Sequence, residues 1–203
     1  MSHVRRPALF ALWIAVCGLL AAVPARAQRG AITLPRNLEQ LTQQAAVIVH
    51  ARVLTAQVEP DPDYPSLWTV EVTLHVEEVL KGSAGGTLAF REFIWDLHDR
   101  ADSAGYVRGE DLVLLLNHPS SLGLTSPCGL AQGIFRLRRD AHGNLLAANG
   151  FANAGLFRGL APALGSQGIS LNANLSGVIS APQSTPLRLD DLRALIRTFA
   201  GTQ

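Results

Sequence analysis

Hydrophobic and polar positions alternate most clearly over residues 68–80 (WTVEVTLHVEEVL). Trp68, Val70, Val72, Leu74 and Val76 interleave with Thr69, Glu71, Thr73, His75 and Glu77. A period of two puts one set on a core and the other in water, so this run predicts a strand. Residues 46–58 (AVIVHARVLTAQV) are rich in β-branched residues and predict a strand before it. The intervening residues 59–65 (EPDPDYP) hold three prolines and form a loop. Residues 87–95 predict a third strand, followed by a polar loop over 96–104. Residues 112–116 form an unbroken apolar run that fits a strand buried on both faces. An irregular loop over 117–128 leads to strands at 134–138 and 145–148, joined by the turn Asp140-Ala141-His142-Gly143-Asn144.

Helical spacing occurs only near the ends of this strand region. Leu38, Leu41 and Ala45 behind Asn37 predict a short helix over about 37–44. Leu189, Leu192, Leu195, Ile196 and Phe199 define one face of a helix over about 190–200. Asp190 and Asp191 lie in its first turn and Arg197 in its last, as the helix dipole favours. Between them, residues 150–185 are mostly Gly, Ala, Ser, Asn and Leu with Arg158 as the one charge, and they read as a loose linker. Strands joined by turns, without alternating helices, favour an antiparallel arrangement. The expected fold is mainly β: a small OB-like barrel of five to six strands, flanked by a short N-terminal and a C-terminal helix. A β-sandwich is the alternative.

The first 27 residues add a location. His3, Arg5 and Arg6 precede an uncharged apolar run from Ala8 to Val23, and Ala25-Arg26-Ala27 supplies small residues at the expected cleavage positions before Gln28. These three parts in order predict a secretory signal peptide, with Sec export favoured over the twin-arginine route. The run is shorter than the roughly 20 residues that span a bilayer, so no transmembrane anchor is expected after cleavage. The expected layout is a signal peptide (1–27), a barrel domain (28–149), a linker (150–185) and a C-terminal helix (186–203), in an exported protein of the periplasm or exterior.

Composition and charge narrow the partners. Of 203 residues, 48% are apolar and 16% charged, against about 25% charged in an average globular chain, which excludes a disordered polyelectrolyte. Removing Arg5, Arg6 and Arg26 from the 17 basic residues leaves 14 against 16 acidic ones, a mature charge of −2. A surface without excess Lys and Arg disfavours nucleic acid, although Trp68, Phe90, Phe93 and Trp95 could stack bases. Cys17 leaves with the signal, so Cys128 has no intrachain disulfide partner.

Four stretches carry a resemblance: 46–53 (AVIVHARV), 70–82 (VEVTLHVEEVLKG), 108–116 (RGEDLVLLL) and 129–137 (GLAQGIFRL). In this order they resemble a group of uncharacterised exported bacterial proteins with an OB-like barrel, similar to the netrin-like fold of tissue metalloprotease inhibitors. The resemblance implies fold and no catalytic residue. It also suggests, by fold alone, inhibition of an extracellular metalloprotease. The animal inhibitors chelate zinc through an N-terminal cysteine, whereas the mature chain here begins with Gln28, so inhibition would need a loop.

Catalytic and ligand motifs are sparse. His50, His75, His98, His118 and His142 show no zinc-like spacing, and HExxH, GxSxG and GxxxxGK do not occur. No cofactor or metal is expected. Asp96, His98 and Asp99, with Asp102, form the densest polar cluster, which reads either as a metal loop or as a solvated connection. Gly129-Leu130-Ala131-Gln132-Gly133 is the candidate recognition loop through Gly129, Gln132 and Gly133, or else a bend at a barrel corner. The favoured function is a non-enzymatic module that binds a protein or envelope component through loops 59–66, 96–107 and 117–128. The alternatives are the metalloprotease inhibitor and an enzyme with a dispersed site, such as His98, Asp99 and Cys128.

Overall fold

The structure is a computed structural model that describes residues 33–94, 100, 102–166, 168–181 and 186–201. The signal segment and the Asp96, His98 and Asp99 cluster lie outside the described residues. Helix α1 (Leu38–Gln44) begins with a reciprocal cap. The Asn37 side chain accepts from the Gln40 N–H, and the Gln40 side chain accepts from the Asn37 N–H. Strands β1 (Val47–Pro60), β2 (Trp68–Lys81), β3 (Thr87–Phe93), β4 (Asp111–Leu116), β5 (Ile134–Arg139) and β6 (Leu145–Asn149) follow. Then come α2 (Leu160–Ser166), α3 (Ala173–Ser180), the two-residue β7 (Leu187–Arg188) and α4 (Leu189–Ala200). The strands form one antiparallel sheet in the order β3-β2-β1-β4-β5-β6-β7.

Each face of this sheet carries its own core. Ile48, Val113, Leu115, Phe135, Leu137 and Ala147 face the helices, where Leu38 and Leu41 of α1 and Leu192, Leu195, Ile196 and Phe199 of α4 pack. Val49, Ala51, Val53, Val70, Val72, Leu74, Leu112 and Leu114 face the other way, against Phe90, Ile94 and Tyr106. The Phe90 and Tyr106 rings meet edge to face with centroids 5.8 Å apart. The Tyr106 hydroxyl donates to Glu92 in the same interior, at 2.8 Å. Burial there, ahead of the Glu92 charge, pushes the phenol well above its ordinary range.

β1 stays on the second core along its length by changing phase. Val49, Ala51 and Val53 are odd-numbered, yet Ala56 and Val58 pack on the same core. The register shift between Val53 and Thr55 makes the change possible and leaves Leu54 exposed. β2 alternates through Val70, Val72, Leu74 and Val76 on the second core, and a register shift against β1 then turns Leu80 to the helix-side core; β4 is buried on both faces, as its apolar run predicts.

Two expectations are corrected. The sheet has seven strands rather than five or six, and it is open, with β3 and β7 at its edges, rather than a closed barrel. After β4 the chain continues outward through β5, β6 and β7 instead of returning a strand to β3. One sheet also replaces the alternative two-sheet sandwich. Second, the described part of 150–185 is no loose linker. Leu156, Phe157, Leu160, Leu164 and Leu175 are buried in the helix-side core, and α1 leans on this segment through Leu38 N–H to Leu156 O at 2.8 Å and Asn37 Nδ2 to Arg158 O at 3.1 Å. Four of its large side chains, at 156, 157, 160 and 164, have helical spacing that the surrounding Gly and Ala dilute.

Leu160 is fully buried, so Leu160→Ala is expected to cost about 2–5 kcal/mol. Urea denaturation of the mature chain measures it. A loss below about 0.5 kcal/mol, the range of surface substitutions, would make this segment peripheral.

Candidate functional site

The Gly129–Gly133 corner is built to hold the chain's own N-terminal segment. Gly129 sits at φ 63°, in the left-handed region that glycine adopts without strain. A Cβ at Gly133 would lie 2.5 Å from Cys128 O, so only glycine lets the two backbones approach this closely. Between them Gln132 is 5% exposed. Its Oε1 accepts from Arg36 N–H at 2.8 Å, and its Nε2 donates to Thr33 Oγ1 at 2.8 Å and Leu34 O at 3.2 Å. Its carbonyl accepts from Asn149 Nδ2 at 3.2 Å. Asn149 and Asn153 then cap each other's backbone at 2.9 Å and set the turns that lead to α2. Gly129, Gln132 and Gly133 are thus brought together as a bend, and the amide is spent on internal bonds.

Cys128 lies beside this corner, fully buried, with its thiol 3.2 Å from Asn117 Oδ1. Burial pushes the thiol up to about 11, so it stays protonated at neutral pH and is a poor nucleophile. Among the described residues there is no group of three or more His, Cys, Asp or Glu side chains able to hold a metal ion.

The sheet's helix side carries a polar constellation that sequence reading missed. His50 of β1 is 8% exposed, and its Nδ1 lies 2.9 Å from Arg193 Nη2 of α4. A guanidinium only donates, so Nδ1 accepts and the neutral ring carries its proton on Nε2. That Nε2 is buried without a hydrogen-bond partner. Arg193 Nε sits 2.8 Å from Glu78 Oε2 in an ion-pair contact, and Arg197, one helical turn on, pairs with the other oxygen of Glu78. Arg193 and Arg197 share a face by their spacing of four. No local pattern, however, ties either to His50, 143 positions away from Arg193 in the chain. Burial, then the Arg193 charge, holds the His50 pKa below its ordinary 6.5, and Asp111, Glu77 and Glu78 oppose that shift.

The loops present a different chemistry. The β1–β2 connection exposes Tyr64 at 46%, the β3–β4 connection exposes Val107 at 60%, and the β4–β5 connection exposes Leu122 at 44%. By strand direction, the first two connections lie at the same end of the sheet. Asp61 stiffens the first by accepting from the N–H groups of Asp63 and Tyr64, both at 3.0 Å. Among the described residues no helix is long and apolar enough to cross a membrane. No family model, no curated protein and no solved structure matches this chain.

Two outcomes follow from these contacts. Gln132→Leu strands the Arg36 N–H and is expected to cost about 1–3 kcal/mol, with faster hydrogen exchange at Arg36. Unchanged exchange there would remove Gln132 as the clamp. For His50, a folded pKa below the unfolded one means stability that is fully present above pH 6.5 and is lost as pH falls through the folded value. His50→Gln keeps an acceptor without the titration. Its midpoint temperature should therefore drop less between pH 7 and pH 5 than the wild type's, and equal drops would exclude His50 as the source.

Proposed function

We propose that the chain is an exported, non-enzymatic binding module that recognises a protein or envelope component through the loops at 59–66, 102–107 and 117–128. The observation that carries this reading is the exposure of one large apolar side chain on each loop, Tyr64, Val107 and Leu122. Isolated exposed apolar residues are ordinary. Here they recur on successive connections, and Tyr64 and Val107 share one end of the sheet. Export rests on the n-region, apolar run and cleavage residues of the first 27 positions.

We further read β1–β4 as an OB-like half-barrel, related to the netrin-like fold. Residues 125–127 support this, because they approach the open edge of β3 while still touching β4. Thr125 N–H donates to Arg91 O at 2.8 Å, and Pro127 bridges to Leu116. In this reading the 117–128 loop both closes the gap and forms part of the recognition surface.

The test immobilises the mature chain, captures partners from envelope extract, and repeats the capture with Tyr64→Ser, Val107→Ser and Leu122→Ser combined. The triple variant should keep its circular dichroism and lose at least about 90% of the captured species, the effect of removing roughly 1.4 kcal/mol of binding. Equal capture by both chains would reject the loops as the binding surface.

A further inference from the structure

We propose that the cleft between the β5–β6 turn and the start of α4 binds a tetrahedral oxyanion of the phosphate-ester type, at a site separate from the loops. The cleft has a volume of about 170 Å³, and Arg139, Asn144, Arg188, Asp190 and Arg193 are among the residues that line it. Its three arginines come from three different elements: the end of β5, β7 and the second turn of α4.

The nearby carboxylates are largely spoken for. Asp140 accepts from the backbone N–H groups of His142 and Asn144, each at 2.8 Å, and from Asn144 Nδ2 at 2.9 Å. These bonds, led by the one from the Asn144 side chain, together with the Arg188 charge hold its carboxyl below the usual range. Glu78 is taken by Arg193 and Arg197. Arg139 donates to Gly143 O at 3.1 Å, and among the described residues neither Arg139 nor Arg188 makes an ion pair. Arg188 is also the residue before α4, and that helix start has no side-chain cap. Two guanidinium forks and uncapped helical N–H groups therefore border one cleft.

Geometry selects the ligand class. A planar carboxylate is satisfied by one guanidinium fork. Arg139 and Arg188, arriving from two different strands, suit an acceptor with oxygens in several directions, and the helix start adds donors of the same polarity, while Arg193 stays engaged by Glu78 and His50. Asp190 and Asp140 are the opposing charges, Asp140 acting on Arg188. The Asp190 side chain is 76% exposed and makes a 3.4 Å contact to Arg193, so removing its charge should improve anion binding. Phosphate esters reach an exported protein as lipid headgroups or as small phosphorylated molecules, and the shared chemistry is the oxyanion.

The experiment titrates the mature chain with inorganic phosphate against sodium chloride at matched ionic strength, reading backbone amide shifts by NMR. Saturable shifts at Leu189, Asp190 and Asp191 are expected. Arg188→Ala and Arg139→Ala should each weaken binding about tenfold or more, as loss of a charged hydrogen bond does. Asp190→Asn should tighten it about two- to fivefold. Shifts that chloride reproduces, or that persist undiminished in both arginine variants, overturn the proposal. Sedimentation with phosphatidylglycerol vesicles but not phosphatidylcholine vesicles, competed by phosphate, supports a lipid headgroup as the source. Phosphate binding without vesicle binding supports a small phosphorylated molecule. Phosphate titration that fails in the wild type while loop-dependent capture survives overturns the cleft and leaves the loop reading intact.

Discussion

The structure depends on β1 being buried on both faces while hydrogen-bonded on both edges. From Val47 to Arg52 it pairs with β4, and from Ile48 onward with β2. Ile48 and Val49 are fully buried on opposite faces, each in its own core. A slip of one residue would exchange those faces and expose both sets. Each core then needs its own cover. The helices supply it on one side, and on the other Tyr106 and Ile94 of the β3–β4 connection do so. The phase change after Val53 lets a 14-residue strand stay in contact with the second core along its length.

Elements whose pattern is set locally were legible. β2 shows its alternation as far as Val76 and β4 its continuous apolar run, because over those stretches the fate of a side chain follows from its position alone. α4 was legible for the same reason, with Leu192, Leu195, Ile196 and Phe199 all fully buried. β1 could be recognised as a strand but its faces could not be assigned, since the phase change depends on how β2 pairs with it. The openness of the sheet was equally hidden, because it follows from where β5 pairs rather than from any strand's composition. In residues 150–181 the apolar anchors carry helical spacing, but Gly and Ala between them lower the contrast on which periodicity depends.

The same division runs through the polar residues. Gln132 stood out because glycines flank it, and the flanking glycines do serve a close backbone approach. What the amide binds, the Thr33–Arg36 segment, lies almost a hundred positions away. Nothing in the sequence marked His50 or Glu78, and it is α4 that lays Arg193 and Arg197 across them. Such pairs contribute little to stability when exposed. Around the buried His50 they do more, because the imidazole and guanidinium are held where only one protonation state of the ring can accept a hydrogen bond.

Charge distribution completes the argument, because net charge conceals it. A chain with a formal net charge of +1 would be expected to carry no marked cationic surface. Yet three of the six arginines in the described strands are neutralised by named carboxylates: Arg52 by Asp111, Arg91 by Glu59 and Glu71, and Arg136 by Glu110. Those pairs tie neighbouring strands together and cancel locally. Beyond them, at the β5–β7 end, Arg138 and Arg188 flank Leu146 in one cross-strand row, with Arg139 adjacent. No carboxylate among the described residues forms an ion pair with these three. Directly opposed residues point to one face of a sheet and strands lie about 4.8 Å apart, so the like charges of Arg138 and Arg188, two strands apart, stand about 9.6 Å from each other at the backbone, comparable to the Debye length. The field at that end is therefore set by arrangement and not by the chain's sum, since a net charge near zero leaves room for a local cationic row.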